Sequence, residues 1–372
     1  MMTPIPFMDL KRFEEGFTQK VEAEWSSILK RASFIGDPLI QKFESSLSAY
    51  TKTNHAMGCS NGTDAITLAL RAAGVSARDT VLLPNFTFWA TFEVVQNLGA
   101  TPVLVEISQK DFQMDFELFK EAAKKFKPKA AILVHLYGWA SRDLFQYRRF
   151  CKEEGIPLIE DAAQAFGTKV GGTESIHQSA YLSTVSFYPA KVLGGAGDAG
   201  AVFCQDEALA ERLRSLANHG RSTHLTHQES GINARLDSLQ AAFLYHSLPH
   251  LDARIASRKQ TLDRYREEIK APWIQLLTPP PSVNENAYVA LAKLSDPTLQ
   301  VETVQEDLKE KGISTGRYYP HPISDNPPAQ KCTIWGNSQS KLASRELLCL
   351  PLFPYMTTNE VETVIQGINA LH

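Results

Sequence analysis

Short apolar runs alternate with longer stretches of helical period through the first two-thirds of the chain. TVLLP (80–84), ATPVLVEI (100–107), AAILVHLYG (130–138), IPLIED (156–161), STVSFY (183–188) and GAVFC (200–204) are near-continuously apolar and bounded by polar or glycine residues, which predicts buried strands. Between them lie stretches such as DFELFKEAAKKFK (115–127) and SRDLFQYRRFCKEEG (141–155), whose apolar residues recur three or four apart. The alternation predicts an α/β fold with a mainly parallel sheet covered by helices on both faces. After Ser238 the pattern turns wholly helical to residue 269, with a kink expected at Pro249, and stops before the proline-rich APWIQLLTPPPS (271–282). A strand in AYVALAKL (287–294), a helix in VETVQEDLKEKG (301–312) and a last helix, opened by Thr357 and Glu360 at capping-box spacing, predict a smaller C-terminal α+β unit. The expected division is a large domain over residues 1–250 with an N-terminal arm, and a small domain over 251–372 that includes the linking helix.

Composition narrows the function classes. At 372 residues the chain exceeds what one hydrophobic core usually serves, in keeping with two units. A net charge of -3 and the lack of any Lys/Arg run leave no basic face for a nucleic-acid backbone. The opening MMTPIPFMDLKRF has no apolar segment of signal-peptide length, and no uninterrupted apolar run reaches the ~20 residues that span a bilayer. The expectation is a cytoplasmic protein without nucleic acid or membrane as partner. Five scattered cysteines (Cys59, Cys151, Cys204, Cys332, Cys349), none in a C-x-x-C pair, indicate neither a disulfide framework nor a zinc site; buried free thiols and no metal are expected.

In open parallel sheets, ligands bind beyond the carboxyl ends of the strands. Polar residues gather where the apolar runs stop. PLIEDAAQAFG ends on Glu160 and Asp161 with Gln164 following, and STVSFYPAK passes from Ser186 to Lys191. In MGCSNGTDAITLAL, Ser60, Asn61, Gly62 and Thr63 directly precede a helical pattern with Asp64 in its first turn, which suits a phosphate held by free backbone N–H groups. Taken singly, each has a plainer reading: an N-cap for SNGT, a capping carboxylate for Asp161, a solvated charge for Lys191, core aromatics for Phe88 and Trp89. Together they form a phosphate cradle, a strand-end carboxylate, a ring-sized aromatic and an amine. Those are the parts pyridoxal phosphate requires: the amine for a Schiff base, the carboxylate for the protonated pyridine nitrogen, the aromatic to cover the ring. The glycines around Lys191 are expected to let backbone approach the cofactor.

One competing pattern is present. Gly195, Gly197 and Gly200 satisfy G-x-G-x-x-G, the dinucleotide fingerprint of nicotinamide-dependent oxidoreductases, but that fingerprint must open a helix, whereas GAGDAG runs into the strand-like AVFC. A pyridoxal-phosphate-binding regulator without catalysis is the other alternative.

From IPFMDLKR and FIGDPLIQKFE, through SNGTDAITLAL, PNFTFWAT, VHLYG and EDAAQAFG, to SFYPAKVLGGAGDAGAV, NHGR, GINARLDSLQAA, YYPHP and CLPLFPYMT, the chain resembles the DegT/DnrJ/StrS-type sugar aminotransferases. These are pyridoxal-phosphate enzymes of fold type I, and the resemblance implies a seven-stranded-type central sheet. It implies Lys191 as Schiff-base lysine, Asp161 as pyridinium partner, Gln164 near the ring hydroxyl, Ser60, Asn61, Gly62, Thr63 and Ser186 at the phosphate, and Phe88 stacked on the ring. Asn233 matches a residue sent across a homodimer interface to the partner's phosphate; Arg235 and Tyr319 match substrate contacts. The activity implied is transfer of an amino group from L-glutamate to a dTDP- or UDP-linked keto-deoxysugar, for lipopolysaccharide O-antigen or another surface polysaccharide, or for a glycosylated product. A branch of the family carries histidine in place of the lysine and performs dehydration; Lys191 places this chain with the aminotransferases. PAKVLGG, Ala234 and ISDNPPAQ depart from the common pattern, and the nucleotide and the choice of C3 or C4 stay open.

Overall fold

The structure, a computed structural model, describes residues 4–223 and 226–371. The six apolar runs and one further segment, HAMGC, form the main strands: β1 (His55–Cys59), β2 (Thr80–Pro84), β3 (Thr101–Val105), β4 (Ala130–Val134), β5 (Leu158–Asp161), β6 (Leu182–Ser186) and β7 (Gly200–Cys204). They lie in the order β1-β7-β6-β5-β4-β2-β3, and a short edge strand, Thr333–Trp335, pairs parallel with β3 as the eighth. Neighbours from β6 through β3 run parallel, while β7 is antiparallel to both β1 and β6. The edge strand comes from the C-terminal third, a contribution that a seven-stranded expectation does not include. β4 and β7 are buried along their whole length, as strands covered on both faces must be.

Helices α1 (Phe17–Arg31), α2 (Pro38–Thr51), α3 (Gly62–Ala72), α4 (Trp89–Asn97), α5 (Phe116–Phe126), α6 (Leu144–Glu153) and α7 (Glu207–Ala217) accompany this sheet. Several start where an Asp or Asn side chain accepts a first-turn N–H: Asp37 for α2, Asn61 for α3, Asp115 for α5 and Asp206 for α7. The apolar faces of α3 (Ile66, Leu68, Leu70) and α4 (Phe92, Val95) join the strands in one core, where each fully buried Leu or Phe contributes about 1.5–3 kcal/mol. Helix α8 (Ser238–Ser247) meets α9 (Leu251–Glu268) through a single turn, Leu248–His250, which contains Pro249; the proline has no N–H to continue the ladder.

Beyond α9, strands β8 (Ile274–Leu276), β9 (Ala290–Leu294) and β10 (Leu347–Leu350) form an antiparallel sheet with β9 central. They pack with α10 (Val301–Glu310) and α11 (Thr358–Asn369) over a second core that includes Tyr265, Trp273, Ala290, Leu348 and Ile368. The arm before α1 reaches this layer: Ile5 pairs with Ile313 and is buried there. α11 opens on the expected capping box, with Thr357 Oγ1 accepting from Glu360 N–H and Glu360 Oε2 accepting from Thr357 N–H. Four of the five cysteines are buried, Cys332 is partly buried, and all are free thiols. Among the described residues no helix is long and apolar enough to cross a membrane.

Candidate active site

Strands β1, β5 and β6 point the same way, so their carboxyl ends share one edge of the sheet. Beyond β1 the chain turns directly into α3. Asn61 closes the turn: its Oδ1 accepts from Asp64 N–H at 2.7 Å while its Nδ2 donates to the Asp64 carboxylate. Ser60 Oγ also binds that carboxylate, so its hydroxyl is committed to the turn, and Ser60 stands outside the cavity wall, unlike Asn61, Gly62 and Thr63. Gly62 packs against β6 so closely that a Cβ would lie 2.7 Å from Ser186 Cβ. This close approach sets the Ser186 hydroxyl beside the free N–H groups that open α3, a cradle for an anion.

β5 ends in two carboxylates with opposite surroundings, because successive side chains of a strand face opposite sides of the sheet. Glu160 is fully buried and accepts from Arg148 Nε at 2.8 Å and Nη2 at 2.9 Å, with His135 Nε2 at 3.0 Å. Burial alone would raise its pKa, but the charge of Arg148 and the bonds from His135 and Arg148 hold it down at about 2. Asp161 turns into the cavity. Its Oδ1 accepts from Ala163 N–H and its Oδ2 from Thr91 Oγ1, both at 3.1 Å. Burial pushes its pKa above the ordinary value, opposed by those two hydrogen bonds and by the charges of Lys191 and His135. Gln164, one turn on, is fixed at both ends of its amide, accepting from Tyr137 N–H at 2.6 Å and donating to Tyr319 Oη at 2.9 Å.

Beyond β6 the chain carries Lys191 to the same cavity, where its Nζ stands 5.1 Å from the centre of the Tyr288 ring. Among the described residues Lys191 Nζ has no hydrogen bond or ion pair. Burial lowers its pKa, against the influence of Tyr318, Asp161 and Tyr188. The glycines after Lys191 differ from expectation. None lines this cavity. A Cβ on Gly194 would sit 2.2 Å from the Pro189 carbonyl oxygen, and one on Gly200 2.5 Å from that of Asn61, so they permit backbone to pack on backbone around the lysine turn. GAGDAG leads into β7, not into a helix, and so lacks the helix N-terminus that a dinucleotide fingerprint needs.

The cavity encloses about 500 Å³ and gathers Asn61, Gly62, Thr63, Phe88, Asp161, Gln164, Ser186, Lys191 and Tyr319, within the range of small-molecule sites. Phe88, 58% exposed, stands at its wall, while Trp89 packs on Phe92 at 4.8 Å and serves the core. Asn233 and Arg235 lie outside it. Asn233 is exposed, its Oδ1 accepting from Arg235 Nε at 3.1 Å, and Arg235 Nη1 also donates to Asn218 Oδ1. Sequence reasoning passed over Thr87, Thr91, Tyr188, Asp198, Tyr288 and Tyr318. Tyr288 and Tyr318 stack at 5.9 Å, with the Tyr318 carbonyl accepting from Tyr137 Oη at 2.8 Å. Thr87 and Thr91 lie in PNFTFWAT, Tyr188 and Asp198 in SFYPAKVLGGAGDAGAV and Tyr318 beside Tyr319 in YYPHP, so only Tyr288 stands outside the motifs that carry the resemblance.

With this geometry, the sequence profile of the DegT/DnrJ/EryC1/StrS aminotransferase family matches residues 17–369. The chain belongs to this family. It is 34% identical over 369 residues to the UDP-2-acetamido-2-deoxy-3-oxo-D-glucuronate aminotransferase of Pseudomonas aeruginosa, covering 98% of this chain and 99% of the relative. It is 33% identical over 367 residues to the dTDP-3-amino-3,4,6-trideoxy-alpha-D-glucose transaminase of Streptomyces venezuelae, covering 98% and 95%. Among solved structures, S. venezuelae DesV in complex with a ketimine intermediate superposes with a TM-score of 0.92 at 32% identity, over 99% of this chain and 98% of that one. The protein is thus an aminotransferase of fold type I.

Proposed function

We propose that this aminotransferase uses pyridoxal phosphate to move an amino group from L-glutamate to the C3 keto group of a dTDP- or UDP-linked deoxysugar. One observation carries the reading: Lys191, an amine without a hydrogen-bond partner among the described residues, and a buried carboxylate, Asp161, face the same cavity beside the N-terminus of α3. The residues fit the cofactor. Gly62, Thr63 and Ser186 would hold its phosphate, Asp161 its ring nitrogen, Gln164 would stand by its ring hydroxyl, Phe88 would cover the ring, and Lys191 would hold it covalently. When bound, the cofactor supplies an electron sink for the carbon that carries the amine. Lys191 Nζ takes the proton from the donor's α-carbon and returns it on the far side of the transfer, a task suited to an amine whose pKa is lowered. Asp161 keeps the ring nitrogen protonated. Tyr319 Oη accepts from Gln164 Nε2, which leaves its own proton to donate to a substrate oxygen.

The regiochemistry rests on the relatives, two of whose names place the keto or amino group at position 3 of the sugar. In a single turnover, one equivalent of L-glutamate per site is expected to become 2-oxoglutarate, and of a panel of dTDP- and UDP-linked 3-keto and 4-keto sugars only the 3-keto members are then expected to be aminated, at C3. Amination of 4-keto sugars alone overturns the regiochemistry; bound cofactor with no 2-oxoglutarate overturns L-glutamate as the donor.

The active site is shared between two subunits of a homodimer, with Asn233 reaching the partner's phosphate site and Arg235 its substrate. This reading is supported by Asn233 being exposed and outside the cavity of its own subunit, and closed two-fold dimers are the commonest oligomers. Lys191→Ala and Asn233→Ala subunits, once each is found impaired, are expected to regain activity when unfolded and refolded together, because one site of each mixed dimer is then intact. Confirmed mixed dimers no more active than their parents would rule the sharing out.

A further inference from the structure

Asp161 is held by two donors from different sources. Ala163 N–H, on Oδ1, belongs to its own turn, whereas Thr91 Oγ1, on Oδ2, arrives from the first turn of α4, seventy residues earlier in the chain. Thr91 is fully buried and Thr87 only 3% exposed, and their hydroxyl oxygens are 3.0 Å apart. A hydroxyl has one proton to give. If Asp161 is ionised it can only accept, so the Thr91 proton goes to Oδ2, and the Thr87–Thr91 bond must then be donated by Thr87. The hydroxyls form a chain of fixed direction, Thr87 to Thr91 to Asp161, starting from Thr87 on the cavity wall. The other groups facing Asp161 are Lys191 after β6, His135 after β4 and Tyr319 across the cavity, and none of them hydrogen-bonds its carboxylate.

We propose that Thr91, supplied by Thr87, is a positioning residue that keeps Asp161 ionised and fixes the plane in which its carboxylate meets the cofactor's ring nitrogen. The proposal rests on the assignment of Asp161 to that nitrogen. The Thr91 hydroxyl lies outside the cavity wall and reaches the cofactor only through Asp161, and so its effect must depend on there being a nitrogen in the ring. Thr91→Val keeps the shape and removes the hydroxyl; Thr91→Ser keeps the hydroxyl. The measurement is the affinity of the apoprotein for pyridoxal phosphate and for its 1-deaza analogue, in which carbon replaces the ring nitrogen, read from tryptophan fluorescence as a function of pH.

Thr91→Val is expected to weaken pyridoxal phosphate about 10-fold or more, the scale of one hydrogen bond to a charged group, and to leave the deaza analogue within about 2-fold. The pH at which affinity falls away on acidification should move upward, because loss of the donor raises the Asp161 pKa. Thr91→Ser should restore wild-type behaviour. Equal losses for the two ligands, or no loss for pyridoxal phosphate, would overturn the proposal. Should Thr91→Val not fold, Thr87→Val must give a smaller loss that is again confined to the ligand with the ring nitrogen, and its absence has the same force. Wild-type protein that binds both ligands equally would instead overturn the assignment of Asp161, and the proposal with it.

Discussion

Lys191→Ala is expected to abolish amine transfer, lowering kcat by at least about 10⁴-fold, since it removes the covalent anchor and the proton-moving group together. Borohydride reduction of the wild-type holoenzyme followed by peptide mapping should put the label on Lys191, and the variant should take none; a label on any other lysine would refute the assignment. Stability should respond in the opposite sense. Among the described residues no counter-charge is hydrogen-bonded to the Lys191 amine, and burial lowers its pKa below that of the unfolded chain. Folding must then either bury a cation or release a proton, a cost that is full below the folded pKa and fades as pH rises through the unfolded value. The apo form of Lys191→Ala is therefore expected to melt no lower than wild-type apoprotein, with its advantage largest toward acid pH. The comparison must be made without cofactor, because a ligand that binds only the native state raises the apparent stability of the wild type.

The parts of this site that were legible in the sequence are those that local pattern controls. TVLLP and GAVFC mark β2 and β7 to the residue, because a short apolar run closed by proline or by glycine and polar neighbours leaves little choice of boundary. Strand ends then pointed to Asp161, Ser186 and Lys191, and SNGT to the start of α3. β1 was not foreseen, since HAMGC is short and its last residues read as the approach to the phosphate turn. Nor was the antiparallel direction of β7: an apolar run buried on both faces looks alike in either direction. Tyr288 and Thr91 lay beyond reach for another reason. Tyr288 precedes β9 in the C-terminal layer and Thr91 sits in the first turn of α4, and each gains its role only when elements 70 or more residues apart in the chain meet at Lys191 or Asp161. Ser60 is the converse case, a residue of the right type in the right motif whose hydroxyl is taken by Asp64.

Asp161→Asn is expected to retain the fold and bind cofactor while losing about 10²–10³-fold in kcat, the scale of removing one preorganised charged group from an enclosed site. The amide oxygen can accept from Ala163 N–H or Thr91 Oγ1 as the carboxylate does, but the other end of the side chain becomes an NH₂ group. Turned to the ring, this donor faces an N–H it cannot accept from, and so the ring nitrogen is bound best unprotonated. The electron sink is weakened at its source. Glu160 supplies the control. It is the neighbouring residue, likewise a carboxylate and fully buried, yet it lies on the opposite face of β5 with its charge matched by Arg148. Glu160→Gln should cost stability, because it leaves Arg148 buried beside a neutral partner, while leaving the pH dependence of cofactor absorbance in its wild-type position. Asp161→Asn should do the reverse, moving that dependence with little change in the melting temperature of the apoprotein. The pair of variants, followed by absorbance titration and thermal melting, separates the carboxylate that works on the ring from the one that holds the strand; near-normal turnover in Asp161→Asn would remove Asp161 from the chemistry.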